Sequence, residues 1–313
     1  MSFVSPAKIT IAVVGDVHEQ WEIADHQALG AISQRSATRC AVDLVLFVGD
    51  FGNESLGVVG LIAELDLPKA TVFGNHDAWF TATDWGQKKS PYDHAVEDRV
   101  RAQQALLGEA DVSYGRRDFA QFGLSVVGSR PFTWGGDQWK NKRFLQDRYA
   151  MTNFNESQAK IEAMALGSPH ESVIFLGHNG PTGLGDQPES ICGRDWNPLG
   201  GDFGDPDFAA AIAGTVAGGK RVPLVTFGHM HHRLRHRQDR LRDRVQVDRH
   251  GTVYLNAACV PRIQGENADR RRNFTLVTLT AGQVTEINLV WVGDRGKILS
   301  QECLYAHHVK MIN

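Results

Sequence analysis

Cysteine is scarce: there are four in 313 residues, and no two of them form a CxxC pair. Cys40, Cys192, Cys259 and Cys303 lie far apart, which excludes a zinc knuckle and a dense disulfide framework and fits a reducing compartment. Long apolar runs are also missing, because no stretch reaches the ~18 residues a membrane span needs. The N-terminus, MSFVSPAKITIAVVGDVH, has no charged segment ahead of an apolar core and runs directly into a strand-like stretch. These absences predict a soluble, cytoplasmic protein with no membrane partner. An excess of one charge sign is lacking as well. With 33 Lys and Arg against 36 Asp and Glu, the net charge is −3, so no overall field draws the chain to nucleic acid or to an anionic membrane. There is no internal repeat, low-complexity tract or Pro/Gly linker, and residues 1–313 read as a single domain. Nothing sets an oligomeric state. A hydrophobic content of 42% is enough for a substantial core.

What the chain does contain is a set of short apolar runs, each ending in Gly followed by polar residues. These are ITIAVVGDVH (9–18), DLVLFVGDFGNE (43–54), ATVFGNHD (70–77), SVIFLGHNGP (172–181) and PLVTFGHMHH (223–232). Continuous apolar runs of this length, bounded by Gly, read as strands buried on both faces. WEIADHQALGAISQRSA and SLGVVGLIAELDLP separate the first three and read as crossover helices, which makes those strands parallel. Residues 111–130 read as a two-stranded hairpin and 142–166 as helical. The C-terminal third, including GTVYLNAACV and the strands joined at TAGQ, reads as antiparallel. The expected fold class is α/β: two mixed β-sheets packed face to face and flanked by helices.

Strand ends in such sheets are where ligands bind, and here they carry Asp16, His18, Asp50, Asn75, His76, His178, His229 and His231. The set offers oxygen and imidazole nitrogen donors and no thiolate, which suits Mn, Fe or Zn rather than a soft metal or a cluster. One ion cannot use them all, whereas two ions sharing a carboxylate can. Each motif alone has a plain alternative: GDVH is a common turn, GHMHH a surface patch, and His178 a hydrogen-bonded core histidine. Independent turns have no reason to repeat the same placement five times.

The ordered set D-x-H, GD, GNHD, GH and GHxH, over residues 9–232, resembles the calcineurin-like metallophosphoesterase superfamily. That resemblance implies a four-layer αββα sandwich. It also implies two divalent metal ions, one on Asp16, His18 and His231 and the other on Asn75, His178 and His229, with Asp50 bridging them. The implied reaction is hydrolysis of a small-molecule or nucleotide phosphoester by attack of a metal-bridging hydroxide, with His76 acting at the leaving oxygen and Asn53 orienting it. GDFGNE and GNHD depart from the GDxxDRG and GNHE of the Ser/Thr protein phosphatases, and the Arg those enzymes use for phosphate is absent. The motifs are closer to the phosphodiesterase and small-molecule phosphatase branches. CGRDWNP and GGDFGDPDF resemble uncharacterised cyanobacterial and plastid members. A non-catalytic scaffold of the same fold and a nuclease are the alternative readings.

The stretch 182–208 is too rich in Gly, Pro and Asp for a helix or core strand, and long loops in compact domains are commonly functional. Arg194 and Trp196 within it are expected substrate contacts, an Arg fork for phosphate and an indole face for a ring. Trp79, Arg130 and Trp134 are further candidates. RLRHRQDRLRDRVQVDRH (233–250) holds seven Arg against three Asp and invites a nucleic-acid reading with Arg270, Arg271 and Arg272. Its alternation of Arg with Leu, Val and Asp fits a solvated hairpin better, so nucleic acid is not an expected partner. His307 and His308 are assigned no role.

Overall fold

The computed structural model describes residues 8–34, 42–293 and 296–307; Cys40 and His308 lie outside the described residues. The three leading apolar runs become β1 (Lys8–Val14), β2 (Leu44–Phe47) and β3 (Lys69–Thr71), joined by α1 (Ile23–Gln34) and α2 (Leu56–Ala63). They lie side by side and parallel, as the crossover helices require. Short helices α3 (Asp84–Gln87) and α4 (Arg99–Leu107) then lead into a hairpin of β4 (Arg116–Phe119) and β5 (Leu124–Gly128). The helical stretch divides into α5 (Lys142–Tyr149) and α6 (Phe154–Leu166), because Ala150 turns left-handed (φ 56°) and ends the first. Next come β6 (Ser172–Leu176), α7 (Pro206–Ala217), β7 (Leu224–Phe227), β8 (Val245–Val247) and β9 (Val253–Asn256). The chain finishes with β10 (Ile263–Gln264), β11 (Arg271–Thr280), β12 (Gln283–Gly293) and β13 (Ile298–Ala306).

Two mixed sheets result. One runs β13-β12-β11-β1-β2-β3, with β10 on β11, and the other runs β4-β5-β6-β7-β9-β8. The antiparallel expectation for the C-terminal third holds for β11, β12 and β13. It fails for β9, which pairs parallel with β7 and antiparallel only with β8. The turn between β11 and β12 places Ala281 (φ 52°) and Gly282 (φ 75°) in the left-handed region, the backbone of a type I′ hairpin.

Side-chain alternation builds the layers. Ile9, Ile11 and Val13, with Leu44 and Leu46, face Val126, Ile174, Leu176, Leu224 and Leu255 between the sheets. The intervening Ala12, Val14, Val45 and Phe47 face α1 and α2 on one outside. Val173 and Phe175 face Ile161 of α6 and Phe208 of α7 on the other. Both faces of these strands are buried, which is why their sequences are continuously apolar. Each such side chain contributes roughly 1.5–3 kcal/mol when fully buried. No helix among the described residues is long and apolar enough to cross a membrane.

Candidate metal centre

The C-terminal ends of β1, β2 and β3 in one sheet and of β6 and β7 in the other open on the same place. Within it, donor atoms of Asp16, His18 and His231 lie within 4.8 Å of one another, as do those of Asp50, His178 and His229, and those of His18, Asp50 and His76. Asp50 stands between the first two groups. Its Oδ2 lies 3.9 Å from His18 Nε2 and its Oδ1 lies 3.4 Å from His178 Nε2, so each carboxylate oxygen faces a different group.

The local backbone explains why these side chains meet. His18 (φ 44°), Asp50 (φ 51°) and His229 (φ 65°) are all in the left-handed region, where side-chain-bearing residues persist only when their surroundings hold them. The holding contacts are specific. Asp77 accepts from the backbone N–H groups of Asp50 (2.9 Å), Phe51 (2.7 Å) and Gly74 (2.7 Å), which locks the second and third loops together. His18 N–H donates to the Asp50 carbonyl at 2.7 Å, and His229 N–H donates to the Asp16 carboxylate at 3.0 Å. Two glycines allow the close approach: a Cβ on Gly74 would sit 2.2 Å from Asp50 Oδ1, and one on Gly228 would sit 2.1 Å from Asp16 Oδ1.

Electrostatics favour ligation. Burial would raise the Asp16 carboxyl, but the hydrogen bond from His231 and the charges of His231, His178 and His18 hold it well below the usual carboxylate range. Burial opposes ionisation of Asp50 in the same way, and His178 and His76 overcome it. Burial, aided by His178, brings the His229 imidazole down to about 3, leaving it neutral. His231 is raised despite its burial, by its hydrogen bond to Asp16. Burial lowers His76, with Asp50 partly opposing.

The donor set fits metal ions on an observation independent of composition. His178 Nδ1 faces the Val48 carbonyl at 2.8 Å, and since a carbonyl only accepts, Nδ1 carries the proton. The lone pair on Nε2 then points at two acceptors, Asn75 Oδ1 at 3.0 Å and Asp50 Oδ1 at 3.4 Å. His229 Nδ1 stands 3.2 Å from the same Nε2, so two imidazole nitrogens, an amide oxygen and a carboxylate oxygen crowd one point, the arrangement of ligands around a shared cation. The spacing agrees, since donors ~2.1 Å from a metal stand ~3.0 Å apart in an octahedron and ~3.4 Å in a tetrahedron. A second-layer acceptor on the far ring nitrogen is the usual way a ligating His is oriented.

Beside this cluster lies a cavity of about 510 Å³, lined by His18, Asp50, Asn75, His76, His229 and His231 at its base. The expected contacts Arg194, Trp196, Trp79 and Trp134 are on its walls, and Lys140, Phe203 and Arg235 join them. The 182–208 loop folds back on itself through a bridge between Gly193 and Asp202, and Arg194 Nε donates to the Gly200 carbonyl at 3.0 Å. Arg235 lies over the Trp196 ring at 5.3 Å, and Trp196 meets Phe203 edge-on at 4.8 Å. His76 stacks on Trp79 at 4.6 Å, and its Nδ1 lies 2.7 Å from Asn53 Oδ1.

Arg130 is a correction. It does not line the cavity; it is 2% exposed, donating to Asp207 at 2.9 Å and to Asp205 at 2.7 Å. Fully desolvated and paired twice, it ties the start of α7 to the segment carrying Trp134. Four arginines of the Arg-rich stretch likewise pair within the protein, Arg237 with Glu189 and Asp239, Arg240 with Asp243, Arg242 with buried Asp195, and Arg244 with Glu302. Sequence reasoning missed Asp77, although it stands in GNHD, and Glu54. Glu54 is buried and accepts from the N–H groups of Phe80 (2.8 Å) and Thr81 (2.7 Å), fixing the segment after Trp79.

A family model described as calcineurin-like phosphoesterase matches residues 9–233, which is most of the chain. The chain belongs to this family. No curated protein matches it. Among solved structures, it is similar to the inner-membrane-complex anchor GAP50 of Plasmodium, at 11% identity and a TM-score of 0.47, covering 97% of this chain and 90% of that one. It is also similar to a purple acid phosphatase from yellow lupin seeds, at 13% identity and a TM-score of 0.40, over 95% of this chain and 54% of that one. For the NAD nucleotidase of Haemophilus influenzae the values are 11% and 0.46, over 92% and 56%. Family membership accords with a donor set built for divalent metals, and the four-layer sandwich is the fold expected for it.

Proposed function

We propose that this calcineurin-like protein is a dinuclear, metal-dependent hydrolase of small-molecule or nucleotide phosphoesters. The observation that carries the reading is Asp50, whose two oxygens face two separate donor groups. Asp16, His18 and His231 hold one ion, Asn75, His178 and His229 the other, and Mn, Fe or Zn suits both sites. Two such ions supply a nucleophile of lowered pKa and draw charge from the phosphoryl oxygens. The chain's own residues do the rest. With Nδ1–H donated to Asn53, His76 in its imidazolium form would carry a second proton on Nε2 and give that proton to the leaving oxygen, returning to the neutral ring. Arg194, Lys140 and Arg235 give the cavity its positive wall, and Trp196 gives a ring face held by Arg235. Every family ligand is present, which favours an enzyme over a scaffold, and the internal pairing of the Arg-rich stretch speaks against a nuclease. Among the described residues Cys192, Cys259 and Cys303 are free thiols, which accords with a reducing, cytoplasmic setting.

The test is a screen of metal-supplemented protein against sugar phosphates, nucleotides, cyclic nucleotides and aryl diesters. Hydrolysis that a chelator abolishes and metal restores is the expected result. A metal-loaded protein that turns over none of these classes contradicts the reading and leaves the scaffold.

A further inference from the structure

Trp79 and Trp134 belong to two spaces at once. They line the cavity over the metal centre, and together with Trp85 and Thr83 they also line a second pocket of about 280 Å³. The three indoles meet at angles rather than in one stack: Trp134 is 5.4 Å from Trp79 and tilted by 38°, and Trp85 is 5.8 Å away and edge-on at 85°. No charged side chain lines this slot. Its one hydroxyl side chain, Thr83, accepts from Gly86 N–H at 3.0 Å, and its other polar groups are the indole N–H donors. Trp85 is 58% exposed, so its ring stands open to a ligand beside the polar cavity. The slot is smaller than the ~300–1,000 Å³ of a whole-ligand pocket, so it suits one part of a larger molecule.

We infer that this slot is a substrate subsite that takes a planar aromatic ring on the leaving-group side of the phosphoester. The inference rests on the proposed phosphoesterase reading and on His76 as the group facing the leaving oxygen. Trp79 stacks directly on His76 at 4.6 Å with the rings 11° apart, so a chain leaving the phosphorus on that side passes along Trp79 into the slot. Charge sorts the other direction: Lys140, Arg194 and Arg235 line the cavity but not the slot. A neutral ring therefore prefers the indoles. The slot's surface is mostly indole face, so it holds the ring chiefly by stacking area and not by reading its edge. Nucleobases and aryl groups share this chemistry.

The test compares ribose 5-phosphate, UMP, AMP, IMP and 1-naphthyl phosphate on the metal-loaded wild-type protein and on Trp85→Ala and Trp85→Phe. Trp85 lies outside the metal-facing cavity and is exposed, so these variants should fold. In the wild type, KM should fall from ribose 5-phosphate to UMP to AMP, by about fivefold or more overall, the effect of one stacked base. IMP should match AMP. Trp85→Ala should erase most of that gain while leaving ribose 5-phosphate unchanged, and Trp85→Phe should keep part of it. If 1-naphthyl phosphate follows AMP, any planar ring is accepted; if it behaves like ribose 5-phosphate, the subsite belongs to nucleobases. Equal KM for ringed and ringless esters, or equal losses on both in Trp85→Ala, overturns the inference. Should none of these esters be hydrolysed, the phosphoesterase reading is in trouble, yet calorimetric binding of AMP against ribose 5-phosphate to the same three proteins still decides the slot.

Discussion

His76→Ala separates a proton donor from a metal ligand. The structure allows both roles, because His76 lies with His18 and Asp50 in one of the three donor groups, yet its ring is fixed from outside that group. Asn53 holds Nδ1 at 2.7 Å and Trp79 covers one face. As general acid it contributes ~10²- to 10⁴-fold, or about 3–5 kcal/mol of barrier, and only where the departing oxygen needs a proton. An alkyl phosphoester should therefore lose ~10²-fold or more in kcat, and a nitrophenyl ester much less, with metal content unchanged. Asn53→Ala should lose less. A neutral hydrogen bond is worth about 0.5–1.5 kcal/mol, and Asn53 is exposed, so the low end of about two- to tenfold applies. The assay is steady-state kinetics on the two esters beside metal analysis of the same samples. Equal losses on both esters, tracking lost metal, would refute the reasoning and make His76 a ligand.

Arg194→Ala should raise KM for the true substrate with metal content unchanged, since it removes a charged contact from the cavity wall; an unchanged KM in steady-state assays would reduce the 182–208 loop to a solvated excursion. Arg130→Ala should act on stability instead. It strands two buried carboxylates, Asp205 and Asp207, at a cost of about 3–5 kcal/mol. Denaturant unfolding that shows a loss under about 1 kcal/mol, where exposed pairs fall, would mean the pair is not desolvated as described.

The parts of the fold and site that were readable in the sequence are those written in consecutive residues. A strand buried on both faces announces itself as an unbroken apolar run, and the Gly that ends it is demanded by close approach, as at Gly74 and Gly228. That is why the positions of the five strand ends, and the side chains on them, could be read directly. Arg130 could not be placed, because its partners lie 75 and 77 residues further on and only folding brings them together. Near a phosphate-like site, an Arg in a loop looks like a phosphate contact until its carboxylates are found. Asp77 was overlooked for the opposite reason: it sits inside the quoted motif, but its work is to accept backbone N–H groups from a loop 26 and 27 residues away, which no pattern records. Lys140, Phe203 and Arg235 come from irregular segments with no periodicity to mark them. The direction of β9 depended on which strand it would join, not on its own residues.

The central claim is that two metal ions share Asp50, and metal-to-protein stoichiometry of the wild type beside Asp50→Asn tests it most directly. Elemental analysis should find two ions per wild-type chain. The variant keeps the shape of the side chain but loses the charge that offsets repulsion between neighbouring cations, so it should lose metal from both sites together with its activity. A single ion in the wild type, or two ions and near-normal turnover in the variant, would contradict the shared centre.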